Sequence, residues 1–169
     1  TWTATTALTA GEHTISVTQT DKAGNESPSS VELTITVDTT EAAPSKPDLT
    51  TASDSGSVTN DNITAITTPT FTGTAGKGDK VELFKDTNSN GTLDSGELLG
   101  TATADADGNW SITSSTLTGG TYSIKARATD AAGNVSSASE ATSVVIKTAK
   151  PATLTALDLA TTDDTAGAK

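Results

Sequence analysis

The segment His13-Thr-Ile15-Ser-Val17-Thr-Gln-Thr-Asp21-Lys-Ala-Gly24-Asn25 returns later in the chain as Tyr122-Ser-Ile124-Lys-Ala126-Arg-Ala-Thr-Asp130-Ala-Ala-Gly133-Asn134. The runs before it match as well, Trp2 with Trp110 and Leu8-Thr-Ala-Gly11 with Leu117-Thr-Gly-Gly120. The alternating Leu33, Ile35, Val37 answers Thr142, Val144, Ile146, and Asp48-Leu49 comes back as Asp158-Leu159. Self-similarity at a period of about 110 residues specifies a tandem array of one folding unit. The chain is out of phase with that array. It is expected to hold the C-terminal part of one unit in residues 1–38, a complete unit in 39–148, and the start of a third in 149–169, all within a longer protein.

Seven stretches of the complete unit read as strands, by period-two alternation or by β-branched content. They fall near 47–52, 69–75, 79–86, 97–105, 109–114, 121–129 and 140–147. Gly, Asn, Asp and Pro separate them where turns are needed, as in Asp105-Ala-Asp107-Gly108-Asn109 and Gly119-Gly120. No stretch longer than a turn has helical periodicity. With 33% hydrophobic and 3% aromatic residues, the chain can bury only a thin core. Short strands at this spacing predict an all-β, immunoglobulin-like sandwich of seven strands, here without a disulfide because there is no Cys. Tyr122 follows the Gly-Gly corner at the start of the sixth strand, where that fold places a tyrosine corner. His13 takes the equivalent place in the first unit, and Trp2 and Trp110 are expected to be core.

Between two of these strands lies Asp86-Thr-Asn88-Ser-Asn90-Gly91-Thr92-Leu93-Asp94-Ser-Gly-Glu97. It has the pattern of a twelve-residue EF-hand calcium loop: side-chain oxygens at positions 1, 3, 5 and 9, Gly at 6, and Glu at 12. Thr92 would contribute its backbone carbonyl, and Leu93 would anchor the loop. Calcium takes about six to eight hard oxygen ligands, often in a pentagonal bipyramid. The predicted set is Asp86, Asn88, Asn90, Thr92, Asp94 and Glu97. With two amides in place of carboxylates, affinity should fall in the roughly 10⁻⁴–10⁻³ M range of extracellular modules. The alternative is an ordinary Asn/Gly-rich strand connection.

A second cation position is expected at the first linker. Asp38 precedes Thr39-Thr-Glu41-Ala-Ala-Pro44, and the sandwich should bring Asp105, Asp107, Asp130 and Asn134 to the same end. Converging carboxylates repel unless a cation joins them. Each of these residues is equally explained as a turn former. Lys147 replaces the counterpart of Asp38 at the second linker, so no equivalent site is expected there. Asp54 and Asp61, in the long first connection, read as solvated turn residues, with a place facing the following domain as the alternative.

Pro69-Thr-Phe71-Thr-Gly73-Thr-Ala75, Gly100-Thr-Ala-Thr-Ala-Asp105-Ala-Asp107-Gly108-Asn109-Trp110-Ser-Ile112 and Ala128-Thr-Asp130-Ala-Ala-Gly133-Asn134-Val-Ser together resemble the bacterial Ig-like repeats of giant secreted adhesins, the biofilm-associated and RTX-type adhesins. The resemblance implies type I secretion, a cell-surface location, and tandem domains made rigid by calcium. It also implies that this segment extends a distant ligand-binding tip away from the cell, with neighbouring repeats as its partners.

A net charge of −11 argues against nucleic acid or an anionic membrane surface as partner. No run of about 18 apolar residues is present, so membrane insertion is not expected. Nor is catalysis: a single His, no Gly-x-Ser-x-Gly elbow, and paired carboxylates only in a hairpin leave no general base for a nucleophile. Two other functions compete with the extender. One is a module that grips carbohydrate, ice or a receptor, using a flat face of the Thr-rich 64–74 segment; the other is an accessory domain of a secreted hydrolase.

Overall fold

The computed structural model describes residues 6–152, so Trp2 and the third-unit segment 153–169 lie outside the described residues. In the first unit, strands β1 (Gly11–Ile15) and β2 (Leu33–Val37) pair antiparallel. The complete unit continues with β3 (Asp48–Leu49), β4 (Ile63–Thr64), β5 (Thr70–Thr74), β6 (Lys80–Lys85), β7 (Leu98–Thr103), β8 (Asn109–Thr113), β9 (Gly120–Thr129) and β10 (Thr142–Ile146). Two sheets result, one ordered β4-β10-β9-β6-β7 and the other β3-β5-β8. No helix occurs among the described residues. The architecture is the expected all-β sandwich.

Alternation along the strands builds the core. Phe71 and Ile112 face each other across β5 and β8, while Val81, Leu83, Ile124, Ala126, Val144 and Ile146 point inward from the larger sheet. Trp110 is buried against them, and a Cβ on Gly73, its register partner, would come within 2.5 Å of the indole. That close approach explains glycine in mid-strand.

The seven-strand expectation is corrected by one. The first connection does not stay in one sheet: β3 pairs with β5, whereas β4 crosses over and pairs parallel with β10. A two-residue strand has no alternation to read, and β4, unlike the equally short β3, lies in no stretch the sequence marks as a strand. The same crossing breaks the Thr-rich 64–74 segment, which is not one strand. Thr64 belongs to the larger sheet and Thr70–Thr74 to the smaller.

Asp54 delivers β4, and it is not the solvated turn residue expected. It is 1% exposed, and its Oδ2 accepts the Asn62 backbone N–H at 3.1 Å. Asp61 Oδ1 accepts from Ile63 N–H, and Ser55 Oγ accepts from Ala65 N–H. We expect Asp54→Ala to destabilise the domain by about 1–3 kcal/mol, because it leaves a part-buried N–H unmet. Urea denaturation measures this; an unchanged midpoint would show the loop to be held by β4 pairing alone.

The corner and turn bonds of the repeat recur. His13 Nε2 lies 2.7 Å from the Thr9 carbonyl, and the Tyr122 hydroxyl donates to the Thr118 carbonyl at 3.0 Å, so both form the same corner. Asp21 and Asp130 each accept from the backbone and side-chain N–H groups of the Asn four residues on. Gly24 and Gly133 close those turns at φ +91° and +93°, a conformation that favours glycine.

Candidate metal centre

The twelve-residue loop joins β6 to β7 as the end of an antiparallel hairpin. Lys85 N–H donates to the Glu97 carbonyl at 3.0 Å, closing its base. Asp86 N–H donates to the Ser123 carbonyl, fixing the first loop residue to β9. Inside the loop, Asn88 Oδ1 accepts from Asn90 N–H and Asn90 Oδ1 from Thr92 N–H. These successive Asx turns wind the chain tightly. Gly91 has φ +72°, the left-handed conformation its position demands, and its N–H donates to Asp86 Oδ2 at 3.1 Å.

Glu97, 4% exposed, ties the end of the loop to its beginning. Its Oε1 accepts from Thr87 N–H and from the Thr87 hydroxyl, and its Oε2 from Asp94 N–H. Bonds from Thr87, side chain first and then backbone, hold the Glu97 carboxyl below its ordinary range. The side-chain amides of Asn88 and then Asn90, both 2.9 Å from Asp94 Oδ2, do the same for Asp94. Both carboxylates are thereby kept ionised, the form a hard cation requires.

Asp86 is the exception within this network. It is 4% exposed, and its Oδ1 is buried with no hydrogen-bond partner. An unmet buried carboxylate oxygen at loop position 1 fits a cation ligand. Asp54 Oδ1 and Asp79 Oδ2 are likewise buried without a partner, and what sets Asp86 apart is its place in the calcium-loop pattern. Among the described residues, however, no three His, Cys, Asp or Glu side chains converge closely enough to enclose a metal ion. The donor set fits calcium, while the loop itself is closed on its own hydrogen bonds. Thr87 and Lys125, whose Nζ lies 3.6 Å from Asp86 Oδ2, belong to this site and escaped the loop pattern because neither occupies a ligand position.

At the linker end, Asp38, Asp105, Asp107 and Asp130 form no group of three acidic side chains able to hold a metal ion among the described residues. Asp38 Oδ1 accepts from Thr40 N–H, and Asp105 Oδ1 from Asp107 and Asn109 N–H. Backbone bonds, that from Asn109 foremost, lower Asp105, and the Asn134 side chain foremost lowers Asp130. These are turn bonds. The carboxylate that does meet the sandwich is Glu41, which lies against Asp79. Burial first, and then the charge of Asp79, push the Glu41 carboxyl up, with Asp130 adding to it. Asp79 is 5% exposed, and its Oδ2 has no hydrogen-bond partner.

A carboxyl raised in the folded state binds its proton more tightly there than when unfolded. Stability therefore falls as pH rises from the unfolded value through the folded one, and stays reduced above it. Glu41→Gln should accordingly raise the melting temperature at pH 7 in chelator and leave it unchanged at pH 3. Thermal melts at the two pH values check this; a lower melting temperature at pH 7 would reverse the sign assigned to the pair.

The profile of the bacterial Ig-like domain family matches residues 1–39 and 40–148. The chain belongs to this family. Its two matched segments contain the corner and turn bonds described above. No curated protein matches the chain. Among solved structures it is similar to one described as "Biofilm associated protein - BSP domain", at 19% identity and a TM-score of 0.41. That likeness covers 83% of this chain but only 20% of the other, so this bacterial Ig-like chain spans a small part of that protein's length.

Proposed function

We propose that this bacterial Ig-like chain is a non-catalytic extender of a bacterial cell-surface adhesin, and that calcium stiffens it. The carrying observation is the orphaned, buried Asp86 Oδ1 at position 1 of an otherwise complete calcium loop. When bound, calcium would supply positive charge to a site where Asp86, Asp94 and Glu97 stand as carboxylates. Asn88 and Asn90 would add amide oxygens and Thr92 its carbonyl. Gly91 and the two Asx turns wind the loop tightly. The loop belongs to the β6–β7 hairpin, so binding there braces the larger sheet.

The linker contributes separately. Glu41 lies against Asp79 at the linker, and a divalent cation recruited there would relieve their repulsion. From the internal repeat and the family resemblance we infer the unit boundaries 1–38 and 39–148 with a third unit opening at 149–169, a surface location, and neighbouring repeats as the partners. The glycan-gripping alternative is weaker. Trp110 is 3% exposed and turned into the core, and the Thr70 and Thr113 hydroxyls on the outer face bond to each other.

Titration calorimetry tests the reading. Calcium should bind with a dissociation constant of about 10⁻⁴–10⁻³ M, and Glu97→Gln should weaken it at least about tenfold. Absence of calcium heat in the unaltered chain would remove the metal from the proposal.

A further inference from the structure

Lys125 is placed unusually for a strand lysine. Its neighbours in β9, Ile124 and Ala126, point into the core, so Lys125 lies on the outer face of the larger sheet. There it stands opposite Phe84 of β6, which is fully buried yet does not belong to the sandwich core. A lysine in this register can lay its aliphatic stem over the aromatic ring and send its ammonium onward. The ammonium ends at the calcium loop. Nζ is 3.6 Å from Asp86 Oδ2, and a Cβ built on Gly91 would stand 3.8 Å from it. The Lys125 side chain is 21% exposed and that of Asp86 is 2% exposed. Arg127, the next outward residue of β9, is engaged elsewhere, 2.8 Å from Glu82. Among the described residues, Lys125 is thus the cation that faces the buried first ligand position.

We propose that Lys125 is a tethered competitor of the metal: it neutralises Asp86 when calcium is absent and raises the calcium concentration at which the loop fills. This rests on the calcium reading of the loop. The physical argument is charge placement. An ammonium within about 4 Å of Asp86 stabilises the metal-free carboxylate and repels an arriving divalent cation, and partial burial limits the screening of both effects. Affinity is therefore set by a residue outside the twelve-residue loop, on a strand distant in sequence. The sandwich fold brings the two together, through the β6–β9 pairing.

The experiment compares the unaltered chain with Lys125→Met, which keeps the apolar stem, and Lys125→Arg, which keeps the charge. Calcium titrations by calorimetry should show roughly tenfold or greater tightening in Lys125→Met and little change in Lys125→Arg. Melting in chelator should move the opposite way, with Lys125→Met less stable because Asp86 loses its counter-charge. A lysine that only supports the fold would lower stability in both buffers without tightening calcium. Equal affinity in Lys125→Met and the unaltered chain overturns the competitor role while leaving the loop a calcium site. No binding by either chain overturns the calcium reading, and the competitor role falls with it. Should Lys125→Met fail to fold, Lys125→Gln takes its place in the same titration: tighter calcium binding supports the competitor role, and unchanged affinity overturns it.

Discussion

In calcium at about ten times its dissociation constant, the complete unit should melt roughly 5–10 °C higher than in chelator. A ligand that binds only the folded state stabilises it by RT ln(1 + [L]/Kd), about 1.4 kcal/mol at that excess. A domain of this size shifts by about 4–8 °C per kcal/mol. The increment should be easy to see here, because the core is thin: Phe71, Trp110 and a dozen or so aliphatic side chains carry it. Glu97→Gln keeps the side-chain shape and one acceptor for Thr87, but loses the charge that would hold the metal. Its melting temperature should be nearly the same in both buffers. Superimposable melts of the unaltered chain in calcium and chelator would show that the loop contributes no metal-linked stability.

Local chemistry was legible in the sequence; distant convergence was not. The Asp130–Asn134 turn, the Tyr122 corner and its His13 counterpart are bonds between residues four apart, so a short motif specifies them. The left-handed Gly91 and the Asx turns of the 86–97 loop belong to the same kind. The sandwich itself was legible because alternation records which face of each strand is buried. What escaped was decided by packing between distant elements. Asp54 looks like any loop aspartate until the crossover buries it, and β4 is too short to have a pattern. Glu41 meets Asp79 only because the linker lies against the start of β6, and Lys125 meets Asp86 only through strand pairing. Ser136 and Ser139 give a further instance. They read as loop residues, yet their hydroxyls accept from the backbone of Ala128 and Ala126, where β9 runs beyond β10.

The mechanical consequence concerns arrays of these units. A tandem series should have a larger maximum dimension in calcium than in chelator, measured by small-angle scattering. The linker sequence does not secure stiffness on its own. Residues 39–45 contain one proline among small and polar residues, so without a cation the joint should bend. At this joint Glu41 and Asp79 oppose each other, so ionised carboxylates push the linker off the sandwich when no cation is present. A divalent cation reverses the sign of that contribution. Glu41→Gln should therefore have two opposite effects: a modest gain of stability in chelator and loss of most of the calcium-dependent lengthening at its own junction. Asp38→Ala at the same junction shows whether Asp38, whose Oδ1 accepts from the Thr40 N–H, shares in that lengthening. The second linker has Lys147 and Lys150 in place of acidic groups and should respond little. If the dimension is the same in both buffers while the loop at Asp86 still binds calcium, the metal stabilises each domain without stiffening the joints, and any reach of the array comes from the number of units alone.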